Sequence, residues 1–125
     1  MKDGLREINE LVGTWGSLVC NNQGEIIQSI TPQGLNNSAL ENINRHVISM
    51  FSRAGEDMQE VSEAVFHYSE RKLFVLDLEK AFLVVICTPS VDVSLLRMTV
   101  NIVRTSWDGD EKVQKQLQKN LAQRI

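Results

Sequence analysis

The apolar residues of this chain recur with a period that changes from segment to segment. Over residues 3–12, Leu5, Ile8 and Val12 fall at i, i+3 and i+7, one face of a helix, and Gly13 supplies a C-terminal stop. Residues 14–21 are short, apolar and β-leaning. Asn21-Asn22-Gln23-Gly24 is turn chemistry, because Gly24 can take a positive φ, and residues 25–30 read as the return strand. After a loop over 31–37, Ser38 or Asn37 caps a second helix, with Glu41 completing a capping box on Ser38. Along that helix Leu40, Ile43, Val47, Met50, Phe51 and Ala54 share one arc and Ile48 lies outside it. The helix ends at Gly55 or runs on to about residue 58.

Three strands are expected over residues 61–69, 72–78 and 81–88, with connections so short that they form an antiparallel meander. Glu70-Arg71 and Glu79-Lys80 lack the Gly or Asn that tight hairpins prefer. Ala81-Phe82-Leu83-Val84-Val85-Ile86-Cys87 does not alternate, so this strand is covered on both faces and sits centrally in its sheet. Pro89-Ser90 breaks it, and Ser90 or Asp92 caps a helix running to about residue 107. This helix has two apolar stripes: Leu95, Met98 and Ile102, and Leu96, Val100, Val103 and Trp107. Two stripes require two partners, the sheet and, by expectation, the first helix. Beyond Asp108-Gly109-Asp110, Val113, Leu117, Leu121 and Ile125 recur every four residues on a polar helix. The division expected is a domain over 1–109 and an amphipathic tail over 110–125. The tail either folds back onto the domain or docks a partner through Val113, Leu117 and Leu121.

Composition narrows the function classes. Hydrophobic residues make up 42% of 125 residues, enough for one domain to fold around a core without staples. A formal charge of −3 argues against a nucleic-acid binder, which shows a basic stripe. The longest apolar run, residues 81–87, falls far short of the roughly 20 residues that span a bilayer. Met1-Lys2-Asp3-Gly4 mixes charges and has no apolar core, so a signal peptide is not expected and the location expected is cytoplasmic. Cys20 and Cys87 are too few and too far apart for a disulfide framework, and read as buried, reduced thiols.

Candidate chemistry is sparse. The chain holds no phosphate-binding glycine loop, no dinucleotide fingerprint, no HExxH and no GxSxG. His46 falls on the middle helix and His67 on the first meander strand, without the convergent ligands a metal needs. Asp77 interrupts an apolar strand and reads as a strand end more readily than as a functional acid. Glu56, Asp57 and Glu60 read as a solvated acidic face. The expectation is a protein that is not an enzyme and holds no cofactor or metal.

The element order α-β-β-α-β-β-β-α, taken with three local stretches, resembles the roadblock/LC7 family, which includes dynein light chains and MglB-like proteins. The stretches are Gly13-Thr14-Trp15-Gly16-Ser17-Leu18-Val19-Cys20, the hairpin Asn21-Asn22-Gln23-Gly24-Glu25-Ile26, and Leu83-Val84-Val85-Ile86-Cys87-Thr88-Pro89 followed by Val93-Ser94-Leu95-Leu96-Arg97. Gln23 stands where that family usually has an acid. The resemblance covers about residues 3–107. It implies an α+β sandwich with a five-stranded antiparallel sheet in the order 2-1-5-4-3, the first and last helices on one face and the middle helix on the other. In that arrangement Cys20 and Cys87 end neighbouring antiparallel strands at opposite edges, too far apart to bridge.

The resemblance also implies a homodimer in which strand 3, an open edge, pairs with its copy while the middle helices lie side by side. On this sequence the implied contacts are Ser62, Ala64, Phe66 and Tyr68 on the strand, and His46, Ile48, Met50 and Arg53 on the helix. The implied partner is a small Ras-like GTPase, which the dimer regulates or scaffolds. Two other readings remain open: a structural adaptor in a motor or cytoskeletal complex, and a small-molecule-sensing module of PAS- or GAF-like topology. A large cavity between sheet and helix favours the last.

Overall fold

A computed structural model describes the backbone of residues 1–32, 34–57 and 62–122, with side chains described over 1–32, 34–52 and 62–118. The elements run α1 (Lys2–Asn9), β1 (Thr14–Cys20), β2 (Ile26–Ile30), α2 (Asn37–Asp57), β3 (Glu63–His67), β4 (Lys72–Asp77), β5 (Phe82–Cys87), α3 (Val93–Asp108) and α4 (Glu111–Ala122). The five strands form one sheet, ordered β2-β1-β5-β4-β3, and every neighbouring pair is antiparallel.

The non-alternating apolar run takes the centre because it alone can be covered twice. All six β5 residues are buried. Leu83, Val85 and Cys87 face α1, α3 and α4, in a core with Leu5, Ile8, Leu96, Val100, Val103 and Trp107. Phe82, Val84 and Ile86 face α2, in a second core with Leu40, Val47, Ile48 and Phe51. Phe51 and Phe82 meet edge to face, their ring centroids 5.5 Å apart.

Several local expectations are corrected. Helix α1 stops at Asn9, and Val12, taken as its third core residue, is 96% exposed. The cap of α2 is neither Asn37 nor Ser38. Asn36 Oδ1 accepts from the backbone N–H of Ser38 at 2.7 Å and of Ala39 at 3.3 Å. Glu41, freed from a capping box, reaches across instead, its Oε2 accepting from Ile26 N–H at 3.0 Å. The α2 core arc is rotated from the one expected: Ile48 is 7% exposed and Ile43 is 43% exposed. Ile48 is therefore a core residue and is not displayed on the helix surface. The helix continues past Gly55 to Asp57, and Val61, expected to open β3, lies outside the described residues.

Helix α3 begins where Asp92 Oδ1 accepts from Leu95 N–H at 3.1 Å. It meets α1 at Gly4, where a Cβ would come within 2.7 Å of Val103 Cγ1 and 2.8 Å of Trp107. That close approach uses the buried stripe. Leu95, Met98 and Ile102, the other stripe, are exposed, so the sheet and α1 are met by one stripe and not by two. Ser17, fully buried on β1, donates to Asn9 Oδ1 at 2.8 Å, and Asn9 Nδ2 donates to Ile30 O at 3.0 Å, so α1 is tied to both β1 and β2.

The tail helix folds back. Val113 and Leu117 are buried in the same core as Trp107, each contributing roughly 1.5–3 kcal/mol by leaving water. Gln114 Nε2 donates to Trp107 O, and Lys80 Nζ donates to Gln114 Oε1, both at 2.9 Å.

Candidate interaction surface

Strand β3 pairs with β4 alone and is one edge of the sheet. Tyr68 N–H donates to Arg71 O and Asp77 N–H donates to Ser62 O, both at 2.8 Å. The antiparallel alternation then makes Ala64–Val75 and Phe66–Leu73 the hydrogen-bonded pairs. It follows that the backbone N–H and C=O groups of Glu63, Val65 and His67 point outward, away from the sheet. The strand is regular over five residues and has no bulge in its pairing with β4.

The side chains of β3 divide between the two faces. Ala64 and Phe66 pack against the α2 core and Val65 against the α3 core, while Ser62, His67 and Tyr68 are exposed. Glu63 lies on the α3 side, where Arg97 Nε donates to its Oε1 at 2.6 Å. On α2, His46 and Met50 are exposed on the same flank as Ile43, the flank turned away from Glu41. The Arg53 side chain and that of Leu121 lie outside the described residues. Of the expected interface set, therefore, Ala64, Phe66, Tyr68, His46 and Met50 lie on the α2 side of the sheet, and Ile48 is withdrawn into the core. Val113 and Leu117, docking residues on one of the two readings of the tail, are turned inward.

Beside this surface is a cleft of about 440 Å³ between α2 and the sheet. Leu18, Leu73, Val84 and Ile86 line it from the sheet, Leu40, Ile43 and His46 from α2, and Trp15, Tyr68 and Arg71 from the strand ends. The Arg71 guanidinium lies over the Trp15 indole, 3.7 Å from the ring centroid. Asn44 also lines the cleft; its Nδ2 donates to Gly24 O at 3.1 Å, while its buried Oδ1 has no partner among the described residues. Nothing in the sequence marks Trp15, Ile43 or Arg71 as neighbours. A cavity is a shortfall of packing between distant segments, and periodicity reports only which residues face inward.

The remaining candidates are dispersed. His46 and His67 sit on different elements, and among the described residues no group of three or more His, Cys, Asp or Glu could hold a metal ion. Asp77 ends β4 and its Oδ1 accepts from Glu79 N–H at 2.7 Å, holding a turn in which Glu79 has φ of 71°. That is a structural task for this carboxylate. Cys87 is fully buried, and burial pushes its thiol up to about 11. Cys20 pairs with Phe82, five residues from Cys87 along β5, about 17 Å at strand rise, so no bridge can form. Among the described residues, no helix is long and apolar enough to cross a membrane.

No protein-family model matches the chain, and no curated protein matches it significantly. Solved structures do. A Roadblock/LC7 domain from Streptomyces avermitilis is 15% identical, with 85% of this chain and 92% of that one covered and a TM-score of 0.68. The gliding protein MglB of Thermus thermophilus is 12% identical, with coverage of 94% and 88% and a TM-score of 0.72. A structure of MglB with a tetrameric arrangement is 13% identical, with coverage of 94% and 88% and a TM-score of 0.73. Likeness at these identities speaks to the fold: this chain has the roadblock/LC7 fold that its sequence resembles.

Proposed function

We propose that the chain is a non-catalytic, cytoplasmic interaction module that pairs with a second copy through β3 and α2, and that the pair binds a small Ras-like GTPase and regulates or scaffolds it. The observation that carries this reading is the open, regular edge of β3. Its outward amides at Glu63, Val65 and His67 need hydrogen-bond partners other than water for the edge to be protected from indiscriminate pairing. An identical strand across a twofold axis supplies them, and brings the exposed α2 flank of Ile43, His46 and Met50 against its own copy. Self-assembly with this fold has a precedent in the MglB structure with a tetrameric arrangement.

The GTPase rests on the family resemblance. The chain has no motif for phosphoryl chemistry, so its effect on a GTPase is to favour one arrangement of that protein's switch segments by binding it more tightly. Light scattering at micromolar concentration tests the pairing, and capture of GDP- and GTP-analogue-loaded GTPases from the same genome tests the partner. A stable monomer removes the interface. A dimer that captures no GTPase in either state leaves the structural adaptor reading in its place. The cleft between α2 and the sheet favours the small-molecule-sensing reading as a second property of the same module.

A further inference from the structure

The cleft beneath α2 has the size of a small-molecule site, its 440 Å³ falling within the roughly 300–1,000 Å³ such sites span. Its floor is hydrocarbon, made by Leu18, Leu73, Val84 and Ile86. Water in such a space gains few hydrogen bonds, so an apolar body displaces it favourably.

Asn42, Asn44, His46, Tyr68 and Arg71 break the apolar wall, and Arg71 is the one permanent charge among them. Arg71 holds its guanidinium 3.7 Å from the Trp15 ring centroid, and among the described residues no hydrogen bond occupies its side-chain N–H donors. The ion pairs among the described residues, Arg6–Asp3 and Arg97–Glu63, do not involve it. A planar cation fixed by an indole at the side of an apolar cleft matches a carboxylate, which it can bind through two parallel hydrogen bonds.

We propose that this cleft binds a small amphipathic carboxylate, with its hydrocarbon body on Leu18, Leu73, Val84 and Ile86 and its carboxylate on Arg71. The proposal gives a ligand class to the sensing reading of the cleft and does not depend on GTPase docking. The charge match is what selects a small anion over a side chain of a second copy: the α2 flank that a twofold axis would present here is Ile43, His46 and Met50, with no carboxylate among them.

The test is a calorimetric and methyl-NMR titration of the full chain with decanoate below its micelle concentration, with decanol and decyltrimethylammonium as comparators. The expected result is saturable one-to-one binding of decanoate, shifts at the Ile43, Val84 and Ile86 methyls, and at least tenfold weaker binding of both comparators. Arg71→Gln weakens decanoate at least tenfold and Arg71→Lys retains part of the affinity. Ile43→Trp, at a half-exposed position that tolerates bulk, fills the mouth and abolishes binding with the circular dichroism unchanged. Equal binding of the three probes, wild-type affinity in Arg71→Gln or Ile43→Trp, or no saturable shift at these methyls overturns the proposal. So does a cleft whose methyls shift with protein concentration and exclude decanoate, because a second copy then fills it. Solution mass and GTPase capture are read separately, so a failure here leaves the pairing and the partner standing or falling by their own measurements.

Discussion

Glu63 and Arg97 join the edge strand to the last helix of the sandwich, Arg97 Nε donating to Glu63 Oε1 at 2.6 Å. Both side chains are partly exposed, so water and salt screen the pair. Glu63→Ala and Arg97→Ala should each lower stability by less than about 1 kcal/mol, with a coupling energy of roughly 0.2–1 kcal/mol in a double-mutant cycle. Denaturant titrations at low and high salt check this. Coupling that survives high salt unchanged would contradict the exposed geometry.

Proline distinguishes the two sides of β3. The Val65 N–H points outward, so Val65→Pro removes an edge donor and leaves the β3–β4 ladder whole. Ala64 bonds inward to Val75, so Ala64→Pro breaks the ladder. Val65→Pro should stay folded, losing about 1–2 kcal/mol, and should have half the solution mass of the wild type. Ala64→Pro should lose about 3 kcal/mol or more. Thermal melts and light scattering on the two variants report both effects.

The rotated arc of α2 makes a stability test. Ile48→Ala should cost about 2–5 kcal/mol, the range for deleting a buried branched side chain. Ile43→Ala should move stability by only about 0.5 kcal/mol in the isolated chain. Had the core run through Ile43 and Met50, as the sequence pattern suggests, the ranking would reverse.

That reversal shows what the pattern could and could not convey. The central strand was legible because an unbroken run from Ala81 to Cys87 has only one home, between two layers. The strand order came through the resemblance. The face of α2 was not legible because two stripes on it both have helical spacing. The true stripe is disguised by Asn44, a polar residue 1% exposed whose Nδ2 donates to Gly24 O, a residue 20 positions earlier. The cap was missed for a related reason: Asn36, Asn37 and Ser38 are all capping residues in succession, and only the backbone path selects the first. For the candidate site, the open edge at β3 was legible through the strand order, whereas the exposed flank of α2 was misplaced at Ile48 and the cleft wall of Trp15, Ile43 and Arg71 was not foreseen.

Cys87 should impose a pH dependence. Its thiol ordinarily loses a proton near 9.0, and burial raises this to about 11, with nearby Lys72 pulling in the opposite direction. Between those values the unfolded chain has lost the proton that the folded chain keeps. Stability is therefore fully present below about pH 9, declines as pH rises towards 11, and then levels off. The decline attributable to this group is on the order of 2–3 kcal/mol. Cys87→Val should flatten the difference between denaturation curves measured at pH 8.5 and 10.5. Thiol reagents at pH 8 should leave Cys87 unmodified in the folded chain and react with it in denaturant.

The sheet's other margin behaves differently from β3. Strand β2 carries an extra residue opposite Val19 and Cys20, where the register shifts from Gln28 to Ile26, and its Ile30 carbonyl is already taken by Asn9. A bulged margin curls out of the plane and makes a poor template. On the proposed pairing, a copy that joins along β3 uses up the open margin of both chains and leaves bulged margins outside, so strand addition does not propagate into a fibril.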